Sequence, residues 1–534
     1  MQKAVIIGAG HNGLVCGCYL ARAGMAVTLL ERCHLAGGSA ITDEFHPGFR
    51  NSVASYTVSL LHPKVIRDLH LSDHGLRIIT RPISNYLPLA DGDGFLLHPD
   101  PAKAQHELAR FSKKDASQLP VYSKMLDSVV ELMRGIMLQT PPALANAGVG
   151  DILGTLKLAL QLRKRSLPER QSLLNLFTKS AGEILDGFFE SDPIKAALGF
   201  DSIVGNFASP YTPGSAYVLL HHLLGETNGR KGSWRHAVGG MGSITQAMLR
   251  EAEELAVDVR TNSSVTRIKI DHGRVQGVVL EDGTEIAADI VVSSVNPQIL
   301  FLQLIEADQL DPTVLTHFNR YQNCSDSFRM NVALAELPRF RDNHATRDSE
   351  HLQTGIILAP SLRYMDEAHM SAKQNGWSER PIIEMLIPST IDDSLAPAGQ
   401  HVASLFCQHF DPYMSDNWDN CKEQVADLII DTVNEYAPNF RDRVLGRMVL
   451  SPLDLERQFS LPGGDISHGR LSLDQLFSAR PMLGMGSYRS PINSLYMCGA
   501  GTHPGGGVSG IPGHNAAREI LSDGKSGFTS WTDR

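Results

Sequence analysis

The feature that most constrains the fold is at the start of the chain, where a short apolar run leads directly into the loop VIIGAGHNGL, Val5 to Leu14. Ala4 to Ile7 predicts a buried parallel strand. Gly8, Gly10 and Gly13 complete the spacing GxGxxG, which permits a tight turn, close approach of the backbone to a pyrophosphate and close helix–strand packing. The pattern predicts a strand, turn and helix that bind a dinucleotide.

The residues after this loop support the prediction and narrow the choice of nucleotide. Leu14 to Ala23 predicts a helix, and its N-terminus offers unpaired N–H groups to phosphates. Val27 to Leu30 predicts the next buried strand, and Glu31 follows it, 21 positions after Gly10. A carboxylate there accepts hydrogen bonds from ribose hydroxyls and repels a 2′-phosphate, which argues against NADP.

A second glycine-rich run, CGAGTHPGGGVSGIPG, spans Cys498 to Gly513, almost 500 residues after the first, and a helical stretch follows it. The paired glycine in RCHLAGG, Arg32 to Gly38, favours FAD over NAD. We therefore expect one FAD molecule to be held by both ends of the chain.

Longer stretches resemble the phytoene desaturase-type flavoproteins, which include carotenoid desaturases, carotenoid isomerases and retinol saturase. They are ERCHLAGGSAITDEFHPGF, Glu31 to Phe49, and LYMCGAGTHPGGGVSG, Leu495 to Gly510. SPYTPGSAYVLLHH, Ser209 to His222, and LERQFSLPGGDISH, Leu455 to His468, resemble the branch named for a pyridine nucleotide-disulphide oxidoreductase domain. The similarity runs from about Ala4 to about Ile520.

The resemblance implies an α/β fold in which a discontinuous Rossmann-type FAD-binding domain, like that of glutathione reductase and amine oxidases, is interleaved with an α+β substrate domain. We expect the FAD-binding domain at about residues 1–75, 225–300 and 485–534. The substrate domain, with a helical cap, is expected at about 76–224 and 301–484.

Sequence patterns predict several elements outside the first loop. Strands are expected at Arg274 to Leu280, Glu285 to Ser293, Pro381 to Ile387 and His401 to Gln408. Helices are expected from Ala102 onward and at Glu423 to Tyr436.

The two loops and the resemblance together imply a set of cofactor-binding residues. They are Gly8, Gly10, His11, Asn12, Gly13, Glu31, Arg32, Gly37, Gly38, Ser39, Val265, Gly499, Ala500, Gly501, Gly510, Ile511 and Pro512. In the resembled family the backbone near Val265 meets the adenine, and GGMG, Gly239 to Gly242, lies near the flavin. A helix-start turn without ligand contact is the alternative for GGMG.

His503 is our candidate for a group near the reacting carbon, ahead of His514 and Tyr211. A histidine hydrogen-bonded within its own loop is the alternative. No HExxH motif or Cys/His ligand spacing occurs in the sequence, so we expect no metal. The seven cysteines form neither CxxC nor CxxxxC, which argues against disulphide chemistry.

The resemblance implies an FAD-dependent oxidoreductase that transfers a hydride from a lipophilic, polyene or isoprenoid-like substrate to flavin N5. Oxygen or a quinone is the expected acceptor, because the sequence has no second strand–GxGxxG–helix–acid unit for NAD(P)H. A redox-neutral flavin-dependent isomerase and a flavin-binding regulatory protein with little turnover are alternatives. An amine oxidase needs an aromatic cage, and no clear aromatic pair lies near the second loop.

Composition and sequence patterns argue against nucleic-acid-binding, membrane-spanning and secreted proteins. A net charge of −10 and a pI of about 6.1 argue against nucleic acid as a partner. No apolar run reaches the length of a spanning helix, the first strand leaves no room for a signal peptide, and the cysteines are scattered, so we expect a cytoplasmic protein. Asp151 to Arg170 is apolar and then cationic, which fits either a cap helix or peripheral contact with a membrane. The sequence does not determine the oligomeric state.

Overall fold

The computed structural model describes residues 1–143, 149–227, 230–231, 234–323, 325–341, 349–414 and 417–526. A five-stranded parallel sheet takes its strands from widely separated parts of the chain. Their order across the sheet is Asp258–Arg260, Ala26–Leu30, Lys3–Ile7, Ile290–Ser293 and Leu495–Met497. The strands of this sheet thus come from both ends and the middle of the sequence.

The central strand, Lys3–Ile7, divides its side chains between two cores, as the two-residue period of a strand requires. Ala4 and Ile6 pack with helices His11–Arg22, Gly242–Glu254 and Ile511–Ser526. Val5 and Ile7 pack on the opposite face, against a three-stranded antiparallel sheet. The strands of that sheet are Val265–Asp271, Arg274–Leu280 and Glu285–Ala287. This layering confirms the predicted α/β class, whereas the domain boundaries stay a prediction.

A seven-stranded mixed sheet forms the second large layer. Its order is Val444–Leu450, Phe328–Leu334, His401–Phe410, Trp377–Leu386, Gly355–Leu358, Asn85–Pro88 and Gly94–Leu97. Helix Trp418–Tyr436 packs its apolar side chains against one face of this sheet, and helix Leu362–Asn375 lies beside strand Trp377–Leu386.

Helices dominate the region after residue 100, as predicted. They are Pro101–Phe111, Lys113–Met137, Val149–Arg163, Leu167–Thr178, Ala181–Phe188, Asp192–Gly199 and Ser215–His222. Helices Pro63–Asp68, Pro312–Asn319 and Pro452–Phe459 occur elsewhere. None of the helices in the described ranges has the length and apolar character that crossing a bilayer requires.

Three predicted boundaries were wrong. The first helix begins at His11 and not at Leu14, because Gly10 is already its cap and Gly13 lies in its first turn. The predicted strand Glu285 to Ser293 divides in two: Glu285–Ala287 stays in the antiparallel sheet, and Ile290–Ser293 joins the parallel one. The segment Asp151 to Arg170 is broken after Arg163, because Ser166 caps a new helix in a capping box with Glu169.

Candidate functional site

The first glycine loop joins the central strand to helix His11–Arg22 and leaves part of its backbone exposed to a cavity. A Cβ atom at Gly13 would lie 2.1 Å from the carbonyl oxygen of Gly8, so the helix packs on the turn at a distance that only glycine permits. A Cβ atom at Gly10 would meet nothing closer than Gly38 Cα, at 3.9 Å. The backbone at Gly10 can therefore be approached by a ligand, as a pyrophosphate requires.

The N-terminus of this helix has no side-chain cap among the residues that the structure describes. Gly10 supplies no side-chain cap, and the first N–H groups of a helix have no partner within it. His11 Nε2 and Asn12 Oδ1 are buried atoms without a hydrogen-bond partner in the described ranges, and both residues line the cavity. Unpaired N–H groups and unpaired side-chain polar atoms at one helix start fit the phosphates and polar edge of a dinucleotide.

Glu31 is held at the end of the second strand by two backbone donors. Its Oε2 accepts a hydrogen bond from Ala9 N and its Oε1 accepts one from Cys33 N, each at 3.0 Å. The residue is only 7% exposed and lines the same cavity. Each carboxylate oxygen has a second lone pair to offer, so the arrangement fits a pair of ribose hydroxyls.

The second glycine run meets the first. Cys498 N donates to Ser293 O at 2.8 Å and so places the run beside the parallel sheet. A Cβ atom at Gly513, in helix Ile511–Ser526, would lie 2.2 Å from the carbonyl oxygen of Asn12. The starts of the two helices are therefore in direct contact, although almost 500 residues separate them.

A cavity of about 470 Å³ runs along these elements, within the size range of ligand sites. Ten predicted cofactor-binding residues line it: Gly8, Gly10, His11, Asn12, Glu31, Arg32, Gly38, Ser39, Val265 and Ala500. The others are buried but outside the lining: Gly13, Gly37, Gly499, Gly501, Gly510, Ile511 and Pro512. Several of these hold the lining in place; for example, Gly37 N donates to Ala9 O at 2.9 Å. Their individual contacts with a cofactor stay a prediction.

His503 is not among the residues that line this cavity. Its Nε2 lies 3.3 Å from Ile136 O, and its ring centroid lies 5.7 Å from that of Phe477 in a tilted arrangement. Burial lowers the pKa of His503 to about 4. These contacts agree with the alternative, in which His503 is a structural histidine held by a hydrogen bond. A catalytic role for His503 stays a prediction.

The remaining candidates also lie outside the lining. His514 Nδ1 contacts Asn515 Oδ1 at 2.8 Å, and Tyr211 is 39% exposed with its hydroxyl 3.2 Å from Asp186. The GGMG turn uses its N–H groups within the protein: Gly239 N donates to Asp392 and Gly242 N donates to Thr42. GGMG is a helix-start turn in this structure.

Sequence reasoning missed a buried polar cluster that reaches the cavity through Tyr56. Tyr56 donates to Glu384 Oε2 at 2.5 Å, its ring stacks on Phe406 at 5.0 Å, and both rings line the cavity. Arg329 lies 4.8 Å above the Tyr56 ring, and Arg81 donates to Thr57 Oγ1 at 3.0 Å. Burial, followed by the charge of Glu384, raises the pKa of Tyr56 well above its usual value, and burial also raises that of Glu384.

One signal in the sequence could have identified this cluster. Glu384 is a lone acid in the apolar run PIIEMLI, and Arg329 is a lone base in FRMNVAL. Both strands are buried in the seven-stranded sheet. A charge that is retained in a buried strand is rare unless it is paired.

Four imidazoles in the lining are held neutral by burial. Desolvation lowers the pKa of His11 and His221 to about 4 and that of His222 and His468 to about 3. His221 Nε2 lies 3.1 Å from Gly506 O and so donates a hydrogen bond to it as the neutral tautomer. These side chains add polar edges to the cavity without adding charge at neutral pH.

Comparison with known proteins identifies the family. Residues 13–521 match the profile of the flavin-containing amine oxidoreductases. The chain is 38% identical over 98% of its length to the rat (Rattus norvegicus) "Pyridine nucleotide-disulfide oxidoreductase domain-containing protein 2", of which 94% is covered.

More distant relatives and a solved structure agree with this assignment. A limonene dehydrogenase chain of Castellaniella defragrans is 27% identical, with 99% of this chain and 95% of that protein covered. The lycopene-forming phytoene desaturase of Pantoea ananas is 24% identical, with 96% and 97% covered. The fold matches cyclohexylamine oxidase from Brevibacterium oxydans with a TM-score of 0.60 at 14% identity, covering 98% of this chain and 99% of that one.

These matches confirm the resemblance to the phytoene desaturase-type proteins and the predicted Rossmann-type FAD fold. The residues around the cavity fit the cofactor, since an open glycine loop, a helix start without a side-chain cap and a buried carboxylate held by two backbone donors converge there. The chain belongs to the flavin-containing amine oxidoreductase family and is an FAD-dependent oxidoreductase.

Proposed function

We propose that the protein oxidises an uncharged, lipophilic substrate of the isoprenoid or polyene class, with a hydride passing to FAD. The observation that carries this proposal is the charge of the cavity wall. Among the described lining residues, the acidic and basic side chains are Glu31 and Arg32, which adjoin the nucleotide loop. A substrate bound elsewhere in this cavity meets no formal charge with which to pair.

Apolar side chains form much of the remaining wall. They include Leu60, Val204, Trp234, Phe406, Ile466 and Leu471. The buried imidazoles beside them are neutral at physiological pH, as described above. Contact between this wall and a hydrocarbon makes the free energy of binding more favourable. The wall offers no counter-charge to an ammonium group. The names of two relatives, limonene dehydrogenase and phytoene desaturase, point to the same substrate class.

FAD, when bound, would accept the two electrons. The protein orients the substrate, excludes water from the cavity and offers a route for the proton. The Tyr56 hydroxyl is suited to that route. As the hydride leaves the substrate, a proton from the adjacent carbon can pass to Tyr56 Oη while the phenolic proton passes to Glu384 Oε2, along the hydrogen bond of 2.5 Å. The buried carboxyl holds this proton readily, because burial raises its pKa.

The proposed electron acceptor is oxygen or a quinone. In the described part of the chain, one parallel sheet with a glycine-rich first turn occurs, and its geometry fits FAD. This supports reoxidation without a resident NAD(P)H site.

The test is anaerobic reduction of the purified holoenzyme. Limonene, phytoene and cyclohexylamine are added in separate experiments, and the visible band of oxidised flavin is followed in time. We expect an isoprenoid to bleach the band and the amine to leave it unchanged. Bleaching by the amine alone would overturn the proposal in favour of amine oxidation.

Two further measurements separate the alternatives. If no isoprenoid bleaches the flavin but prereduced enzyme shifts double bonds in the product mixture, the protein is a redox-neutral isomerase. If neither occurs, the regulatory alternative replaces the enzyme. For enzyme reduced by substrate, the rates of reoxidation by air and by a soluble quinone identify the acceptor class.

A further inference from the structure

Arg480 is a buried cation that has no part in the chemistry proposed above. The residue is fully buried, at 0% exposure. Its guanidinium donates hydrogen bonds to five backbone carbonyl oxygens, those of Ser467, Gly469, Arg470, Gln475 and Ala500. In the described ranges it forms no ion pair with a carboxylate. Because arginine stays protonated in proteins and a fully buried one is normally paired with an acid, this charge needs an explanation.

The guanidinium lies directly behind the second glycine run. Its Nη2 donates to Ala500 O at 2.9 Å and to Ser467 O at 2.5 Å. A Cβ atom at Gly505 would lie 3.8 Å from Arg480 Cζ. Ala500 and Ser467 both line the cavity, so the backbone of the wall itself holds the charge in place.

The charge of Arg480 acts on side chains of the cavity wall. Burial is the main cause that lowers the pKa of His221 to about 4 and that of His468 to about 3, and Arg480 lowers both further. No carboxylate of the described structure opposes it at either ring. Asp465, an acid of the same loop, instead accepts hydrogen bonds from two backbone N–H groups. This part of the wall therefore has a positive electrostatic potential.

FAD is a ligand whose charge changes within this cavity. Glu31 and the first glycine loop fit its adenosine and its pyrophosphate, so we expect its ring beside the second glycine run. A ring that accepts a hydride takes up two electrons and one proton and gains one negative charge. A nearby buried cation stabilises that anion relative to the oxidised ring, because charges inside a protein are weakly screened.

We propose that Arg480 is a positioning residue that tunes the flavin electrostatically, since its buried charge behind the second glycine run favours the anionic reduced form of FAD. The reduction potential of bound FAD is thereby raised. The same charge disfavours an ammonium group in this part of the cavity. The inference depends on FAD and not on the proposed substrate, so either can fail without the other.

The test is the reduction potential of the holoenzyme, measured by slow anaerobic reduction with dithionite beside a redox dye of known potential. No substrate is needed. Arg480→Met removes the charge, and we expect the ratio of reduced to oxidised flavin at a fixed potential to fall about tenfold or more, which is about 30 mV for a two-electron couple.

Arg480→Lys separates the charge from the hydrogen bonds. Lysine keeps the positive charge but has three donors in place of the five of arginine, so a merely structural role would be impaired in both variants. We expect the potential of Arg480→Lys to stay close to that of the parent. An unchanged potential in Arg480→Met, or equal shifts in the two variants, overturns the proposal.

Arg470→Met is the matched control for loss of charge. Arg470 is in the same loop, but it is partly exposed and does not line the cavity, so the potential should not change. A shift as large as that of Arg480→Met would overturn the proposal. So would a variant in which FAD affinity falls while the potential stays constant, because the charge would then act on the pyrophosphate, which has the same charge in both redox states.

Sulfite provides a second measurement that does not depend on how well the variants fold. It adds to the ring of oxidised FAD and leaves a negative charge there, so the parent holoenzyme should bind it with loss of the visible flavin band. A parent protein that does not bind sulfite at millimolar concentrations overturns the proposal. Where Arg480→Met retains flavin, its dissociation constant for sulfite should be about tenfold higher than that of the parent or more.

Discussion

Tyr56 and Glu384 are joined by a hydrogen bond of 2.5 Å that connects the wall of the cavity to the interior of the seven-stranded sheet. Glu384 is 2% exposed, and the nearby cations of Arg81 and Arg329 are 5% and 1% exposed. One carboxylate thus lies close to two buried guanidinium groups, both of which act on its pKa. Glu384 therefore offsets one of these two buried positive charges.

Replacing Glu384 by Ala should be strongly destabilising. The change leaves Arg81 and Arg329 buried without their acid, for which we expect a loss of about 3 kcal/mol in the free energy of unfolding. Urea titration of the holoenzyme measures it. Glu384→Gln keeps a hydrogen-bond acceptor for Tyr56 and should lose less.

The matched control for this change is Glu379→Ala. Glu379 is in the same strand but is exposed, so its removal should change the free energy of unfolding by less than about 0.5 kcal/mol. Equal effects at the two glutamates would show that the buried charge balance does not matter.

Gly513→Ala should disturb the contact between the two glycine runs. The new methyl group would lie 2.2 Å from Asn12 O, so one helix start must move and FAD retention should fall. Gly524→Ala in the same helix is the control, because nothing lies within 4 Å of a Cβ there. It should keep the flavin and raise the melting temperature slightly, since alanine favours helices. The flavin-to-protein absorbance ratio after gel filtration distinguishes them.

Glu31→Ala should weaken FAD binding without unfolding the sheet. It leaves Ala9 N and Cys33 N without their carboxylate and removes the acceptor that we predict for the ribose hydroxyls. We expect the dissociation constant of FAD to rise by about 10- to 100-fold. Titration of the apoprotein with FAD, followed by flavin fluorescence, gives the value. Glu281→Ala, at an exposed turn, should bind FAD as the parent does.

His222 should contribute to acid sensitivity. Burial lowers its pKa from 6.5 to about 3, so below about pH 6.5 the unfolded chain takes up a proton that the folded chain excludes. The free energy of unfolding therefore falls as the pH falls. Between about pH 7 and about pH 5, the parent should lose about 2 kcal/mol more than His222→Gln does. Urea unfolding at the two pH values tests this, and parallel losses would contradict it.

The sequence predicted best those residues whose type is required both by the local backbone geometry and by the chemistry of the ligand. Glycines at 8, 10 and 13, with the acid at Glu31, predicted the strand, the turn and the carboxylate that line the cavity. These residues interact over short stretches of chain, and few residue types meet their requirements. The first helix was placed three residues late, because a glycine-rich loop does not look helical until its cap is known.

The wall opposite the nucleotide loop could not be predicted in the same way. Tyr56, Val204, Trp234 and Phe406 come from four distant segments, and no spacing within the sequence connects them. Of these four, only Phe406 lies in a strand of the seven-stranded sheet, whereas the other three lie in connections between elements, so only the tertiary fold brings them together. The position of His503 inside a glycine-rich loop suggested chemistry; its Nε2 lies 3.3 Å from Ile136 O, and its catalytic role stays a prediction.

The pairing of Leu495–Met497 with Ile290–Ser293 also sets an order of events in time. A ribosome has made four strands of the five-stranded parallel sheet once it passes Ser293. It makes the fifth strand only after residue 494 has left the peptidyl transferase centre. Until then the edge of Ile290–Ser293 and the face of helix His11–Arg22 that meets Gly513 are uncovered. Nascent chains therefore complete the flavin site only after Leu495–Met497 and Gly513 have been made, and a chain that stalls before them presents an open sheet edge to chaperones.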